Sequence, residues 1–206
     1  MIFLHTPERE HHLHGDLAPP RRREAPAKRN QCGSEMPRLK GRLRRASDGV
    51  IHQLKAIGKV KNDGNGTFIQ LDPEYIPGLQ AMEGFSHIHV LWWFSDCDNN
   101  TDRNELQTKQ PYKGAPEVMG VFATRSPARP NPIALTASEM INIDFTNGMI
   151  RVVFIDADDN TPVLDIKPYT PSFDRVETPG VPSWCSEWPK STEASGCFDW
   201  GQVFNF

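Results

Sequence analysis

Between residues 54 and 166 the chain is written in short apolar or alternating stretches, each closed by Gly, Asn, Asp or Pro. That punctuation leaves no room for long amphipathic helices and favours short strands joined by tight turns. Residues 54–60 (LKAIGKV) alternate around Gly58 as a half-buried strand does. Residues 62–66 (NDGNG) are dense turn chemistry, and 67–71 (TFIQL) return as the second strand of a hairpin. Asp72, Pro73 and Glu74 read as the start of a short helix, with Asp72 as cap and Pro73 in the first turn, ending near Met82 before Gly84. Residues 86–94 (SHIHVLWWF) are the most strand-like stretch, and their apolar C-terminal part suits a central strand. Residues 96–116 are polar and read as a long loop. Residues 119–124 (MGVFAT) form another expected strand. Residues 133–143 and 149–155 form a pair joined at Asn147-Gly148, a strong hairpin signal, and 163–166 a last short strand. Seven or so strands with little helix predict a mainly β fold. Its natural architecture is a small antiparallel β-barrel, closed or nearly so, because closure removes strand edges.

The 206 residues are enough to bury a sizeable core, and the 37% hydrophobic and 24% charged content is that of a soluble globular chain. The apolar run at 90–94 is far too short to cross a bilayer, so no membrane association is expected. Charge is unevenly spread: residues 1–50 carry 11 Lys and Arg against 6 Asp and Glu, and the remainder 12 against 20. Residues 1–52 therefore read as a basic, Pro-rich, disordered extension, with a basic arm for RNA phosphates as the alternative. His5, His11, His12 and His14 lie in this head, but nothing there fixes a ligand geometry, and no metal is expected. Residues 53–175 are the expected barrel domain. Residues 176–206 are an aromatic-rich tail (Trp184, Trp188, Phe198, Trp200, Phe204, Phe206) expected to dock on the barrel or on a second subunit. Four cysteines without a CxxC pair, and the lack of a continuous apolar leader, point to reduced thiols in a cytoplasmic protein.

Two segments concentrate chemistry. In residues 120–133 (GVFATRSPARPNPI) a strand runs into a loop rich in proline, which fixes φ and keeps each preceding residue out of the helix region. Arg125 and Arg129 are thus held on a stiff support, facing either an anionic ligand or an ion-pair network with the acidic body. In residues 156–169 (DADDNTPVLDIKPY) an acidic turn leads into a short strand with Asp165, then Lys167 and Tyr169. Asp158, Asp159 and Asn160 suit a cationic ligand or ribose hydroxyls, or form an ordinary Asx-rich turn. His87 and His89 point the same way on their strand and read as structural histidines rather than a metal pair. A GxSxG elbow, a GxGxxG turn and a Walker A sequence are all missing, so a Rossmann nucleotide site is excluded.

These two ordered segments, with Glu83-Gly84-Phe85-Ser86-His87 upstream, resemble the TrmO/TsaA-like family of S-adenosylmethionine-dependent tRNA methyltransferases over roughly residues 55–175. The resemblance implies a small non-Rossmann barrel that forms a homodimer with S-adenosyl-L-methionine near the subunit junction. It implies methyl transfer to N6 of the threonylcarbamoylated adenosine beside the anticodon of tRNA. Arg125, Leu135, Asp158, Asp159, Asn160 and Thr161 fall on the family's cofactor-contacting positions, as do Ser95 and Asp96, where bacterial members have His-Gln. Arg129 and Lys167 are candidates for RNA phosphates, and Asp165 and Tyr169 for orienting the attacking amine. The sequence departs from the family at Ala134 and Asn160, where Gly is usual, and lacks a Pro-Arg-Gln insertion between its first two strands. The aromatic tail replaces the C-terminal domain of longer members. A same-fold methyltransferase acting on a small molecule or another RNA, and a non-enzymatic cofactor-binding barrel, are the alternative readings.

Overall fold

The computed structural model describes residues 53–205. The basic head and its histidines lie outside the described residues, as does Phe206. Six strands close into an antiparallel barrel: β1 (Gly58–Asp63), β2 (Gly66–Leu71), β3 (His87–Trp93), β6 (Ile133–Asp144), β7 (Met149–Val152) and β8 (Pro162–Pro168), in the order β1-β2-β7-β6-β3-β8. Two short strands, β4 (Gln107–Lys109) and β5 (Val118–Gly120), form a separate ribbon within the crossover from β3 to β6. The mainly β, closed antiparallel barrel expected from the sequence is what the chain forms.

Alternation builds the core. Ile88, Val90 and Trp92 of β3 point inward against Val60, Ile69, Ala134, Ile150, Val152 and Val163 from the other five strands. Leu79, from the 3-10 turn Pro73–Leu79, and Ile155 add to this interior. Gly58 permits the closest strand approach, since a Cβ there would stand 2.2 Å from the Gln70 carbonyl oxygen. The Asn147-Gly148 turn forms where expected. Gly148 has φ +65°, and Asp144 accepts hydrogen bonds from the backbone of Thr146 and Asn147 and from the Asn147 amide.

Local expectations are corrected: the first strand begins at Gly58 rather than 54, the strand expected over 149–155 ends at Val152, and the helix expected to reach Met82 is a 3-10 turn ending at Leu79. The strand expected over 119–124 stops at Gly120, because residues 121–123 turn into a 3-10 helix closed by the Thr124 amide and hydroxyl on the Val121 carbonyl. The 96–116 loop is not featureless: it carries helix α1 (Asn100–Arg103), capped by the Asn99 side chain, as well as β4. Asp72 does not cap through its side chain. Its backbone carbonyl accepts from Tyr75 instead, at 2.9 Å.

The tail packs mainly on the crossover. Tyr112 stacks on Trp184 and meets Trp188 and Phe204, while Lys113 and Asn205 bond across to Val203 and Pro111. Among the described residues no helix is long and apolar enough to cross a membrane.

Candidate functional site

Strand pairing decides where the motif segments emerge. Trp93 pairs with Ile133 and Trp92 with Val163, so the C-terminal end of β3 and the N-terminal ends of β6 and β8 share one end of the barrel. Ser95 and Asp96, the Arg125–Arg129 loop and the 158–161 turn all leave from that end.

A polar network mounts the proline-rich loop there. Asp98 accepts from Arg103 Nε at 2.5 Å and from Trp93 Nε1 at 3.0 Å, and Arg103 also donates to the Pro130 carbonyl at 3.3 Å. The Arg103 guanidinium lies over the Trp93 ring, 5.5 Å from its centroid. The Arg103 hydrogen bond, then that of Trp93, hold the Asp98 carboxyl below the usual carboxylate range. Arg103 lies 27 residues before Pro130, and no local pattern in the sequence exposes this partnership.

The two motif arginines behave differently. Arg129 is turned back on its own loop, with Nε on the Ser126 carbonyl (2.6 Å) and Nη2 on those of Thr124 (2.9 Å) and Val121 (3.4 Å). It braces the loop, and its guanidinium is engaged there rather than presented to a phosphate. Arg125 is exposed and donates one hydrogen bond, from Nη1 to the Leu135 carbonyl at 3.2 Å. Two expected cofactor positions, Arg125 and Leu135, are therefore in contact. Ser95 and Asp96 sit nearby on an exposed 3-10 turn, since Phe94 donates to the Pro132 carbonyl.

Leu135 pairs with Leu91, which pairs with Asp165, forming one row across the outside of β6, β3 and β8. A bulge between Leu91 and Trp92 lets β8 bury Val163 and pack the half-buried Ile166 on the core while presenting Asp165 and Lys167 outward. Asp165 accepts from the Ile166 amide and from Lys167 Nζ, the latter at 2.5 Å. Tyr169 is four residues further on, roughly 13 Å along an extended strand, beside His87 and His89. Asp165 and Tyr169 therefore do not converge.

The acidic turn is built by its own side chains. Asn160 has φ +65°, a left-handed conformation that Asn tolerates better than most residues. That explains how Asn stands where the family has Gly. Asp159 accepts from the Asn62 amide (3.0 Å) and the Asn160 side chain (2.7 Å), the Asp158 carbonyl accepts from Thr161, and Thr161 is buried. Within one chain this turn does not line the cleft that Arg125 lines.

That cleft, about 870 Å³, is bounded by Arg125, Phe154 and Asp156 from the barrel side and by Trp188, Trp200 and Phe204 from the tail. A second cleft, about 1090 Å³, is bounded by His87 and Tyr169 from the barrel and by Trp188 and Lys190 from the tail. Trp188 walls both. The sequence offered aromatic content in the tail but no periodicity to show which rings would face a cleft. Among the described residues no group of His, Cys, Asp and Glu is placed to hold a metal ion.

A closed six-stranded antiparallel barrel with its motif loops gathered at one end defines a non-Rossmann class of protein. Residues 57–175 match the tRNA-methyltransferase O N-terminal domain family, and the chain belongs to that family. It is 39% identical over 137 residues, 60% of its length and 93% of the relative's, to an S-adenosyl-L-methionine-binding protein of Archaeoglobus fulgidus. It is 38% identical over 110 residues to the mouse tRNA (adenine(37)-N6)-methyltransferase, covering 53% of this chain and 24% of that one. A crystal structure of TrmO is similar at 26% identity with a TM-score of 0.50, over 64% of each chain.

Proposed function

We propose that this chain is a cytoplasmic S-adenosylmethionine-dependent methyltransferase that modifies N6 of an adenosine in tRNA, the threonylcarbamoylated adenosine beside the anticodon. Family membership and the names of the relatives support the class of reaction. The observation that carries the site is Arg125, an exposed guanidinium with one internal hydrogen bond at the mouth of an aromatic cleft.

The cleft's donors fit the cofactor's parts. Arg125 suits an amino-acid carboxylate. The rings of Trp188, Trp200 and Phe154 suit an adenine face or a sulfonium, and Asp156 suits a ribose or ammonium group. Its volume lies within the roughly 300–1,000 Å³ usual for small-molecule sites. Bound there, the cofactor supplies an electrophilic methyl group on sulfur. The chain's own work is then to position, to exclude water and to hold the acceptor amine in line. Ser95, Asp96 and Leu135 lie at the same end of the barrel but outside the cleft's lining, Leu135 meeting Arg125 through its carbonyl. Asp158, Asp159, Asn160 and Thr161 share that end but stand outside the Arg125 cleft, which supports a homodimer in which a second copy brings its turn to the junction.

Asp165 is engaged by Lys167, so that pair acts together: a phosphate drawing Lys167 away frees the carboxylate. The Tyr169 hydroxyl makes no hydrogen bond among the described residues and is the better candidate for contacting the acceptor.

Three measurements test the reading. S-adenosylhomocysteine raises the melting temperature of the chain, and Arg125→Ala weakens its binding roughly 10- to 100-fold. Labelled methyl transfers to bulk tRNA and is lost on tRNA lacking the threonylcarbamoyl group. No thermal shift sinks the cofactor assignment. Transfer that ignores the threonylcarbamoyl group leaves a methyltransferase with a different acceptor.

A further inference from the structure

The second cleft lies outside the Arg125 site yet shares its Trp188 wall. Its floor is the outer face of β3 and β6, and its walls come from the segment after β8. His89 Nε2 lies 3.2 Å from Asp174 Oδ1, and Asp174 Oδ2 accepts the Thr170 amide at 2.7 Å. This fixes helix α2 (Pro171–Asp174) over the outer face of β3. His89 Nδ1 is buried with no partner. The Tyr169 ring packs on His89 at 5.4 Å between centroids, so its orientation is set from below. His87 is oriented by Ser86, whose hydroxyl is 2.9 Å from Nδ1.

Three rings, those of His87, Tyr169 and Trp188, thus border one space. Two cations stand with them. The Arg175 guanidinium makes no hydrogen bond or ion pair among the described residues, its backbone amide alone donating to Pro171, and the Lys190 ammonium donates only to the Ser186 carbonyl. Of the three carboxylates there, Asp174 is committed to His89 and Thr170, Ser191 and His87 hold Glu193 below the usual carboxylate range, and Glu177 is exposed. Aromatic faces beside exposed cations are the combination that holds an unstacked base and its phosphate. An enclosed apolar ligand would not need the cations, and a carboxylate or phosphate alone would not need the rings.

We propose that this cleft binds an unstacked nucleotide of single-stranded RNA, with Tyr169 as its stacking surface and Arg175 and Lys190 on its phosphate. The proposal rests on the tRNA reading above and places the RNA loop across Trp188 from the Arg125 cleft.

The test uses the full chain, a fluorescent anticodon stem-loop RNA and, separately, S-adenosylhomocysteine. Arg175→Ala with Lys190→Ala should weaken RNA binding about 10-fold and reduce its salt dependence. Tyr169→Leu should weaken it by roughly 5- to 100-fold, the loss of one base–ring stack, and Tyr169→Phe, which keeps the ring, by much less. Binding of S-adenosylhomocysteine to the Arg175/Lys190 double variant should stay within about twofold of wild type, well below what loss of a charged contact costs. RNA affinity unchanged in the double variant and in Tyr169→Leu overturns this proposal while leaving the methyltransferase intact. Equal loss of S-adenosylhomocysteine binding overturns it too, assigning the cleft to the cofactor. A wild-type chain that neither binds nor methylates tRNA removes the parent reading, and this one with it.

Discussion

The molecule has two apolar centres, and they are made differently. Inside the barrel, Val60, Ile69, Ile88, Val90, Ile150, Val152 and Val163 are fully buried aliphatics placed by strand alternation, on strands each hydrogen-bonded to its neighbours round a closed ring. Outside it, Tyr112, Trp184, Trp188, Trp200 and Phe204 meet at centroid distances of 5.0 to 5.8 Å, and each remains partly exposed. The first centre is specified by a period of two and completed by closure. The second depends on large rings from irregular segments, held by a few backbone bonds such as Lys113 to Val203. A centre of the second kind opens locally at lower cost than one of the first. It is also the one that walls both clefts, so the part that shapes the binding surfaces is the less secure part.

The sharpest break of this comparison is Ile150→Ala against Trp200→Ala. Ile150 is fully enclosed, so its truncation should cost about 2–5 kcal/mol and lower the urea midpoint of the whole domain. Trp200 bonds Ser195 through its indole nitrogen and touches Trp188, Phe198 and Phe204, but is partly exposed. Its loss should cost less than the roughly 3–5 kcal/mol of an enclosed aromatic, and should show as faster proteolysis within the tail while barrel unfolding moves little. An equal fall in urea midpoint for both variants would mean that the two centres unfold as one.

The same division explains what the sequence revealed. Alternation in residues 54–71 and 86–93 and the Asn147-Gly148 turn were enough to infer a closed antiparallel barrel, because each depends on neighbours in sequence. The end of β5 was misjudged, since Thr124 folding back on Val121 overrides the β preference of Val121 and Phe122. For the site, proline spacing marked the loop but could not say that Arg129 would turn its guanidinium onto that loop's carbonyls while Arg125 stayed exposed with one bond to Leu135. Asp165 and Tyr169 were candidates for their place at the end of a strand beside the acidic turn. In a strand they are not close in space. The Trp188 wall needed ring contacts with Tyr112 of the crossover and with Trp184 and Trp200 elsewhere in the tail, which no local pattern records.

A smaller effect probes the mount that joins β3 to the motif loop. The Asp98 carboxyl is held low in the folded chain, first by the Arg103 hydrogen bond and then by that of Trp93. A depressed carboxylate contributes stability that is present above its ordinary pKa and is lost as pH falls through the lower folded value. Acidification from about pH 6 to about pH 3 should therefore lower the melting temperature more in wild type than in Asp98→Asn, which carries no titratable group there. Because the pair is exposed, added salt should shrink the difference. Parallel pH dependences for the two proteins would show that the network does not mount the loop.

The smallest effect separates the acidic turn from both apolar centres. Asn160 pays for a left-handed φ of +65° yet gains a 2.7 Å bond to Asp159, whose other oxygen holds Asn62. Asn160→Ala keeps the strain and loses the bond, so it should destabilise by about 1 kcal/mol. Asn160→Gly removes the strain, loses the same bond and adds freedom to the unfolded chain, and should fall within about 0.5 kcal/mol of wild type. If instead Gly costs more than Ala, the Asn160 conformation is not what the turn needs, and the tolerance of Asn at a Gly position has another origin. Measuring S-adenosylhomocysteine affinity on the same two variants then tells whether the turn's shape or its side chain matters to the ligand: Ala alone weakening binding points to shape, and both weakening it equally points to the lost Asn160–Asp159 contact.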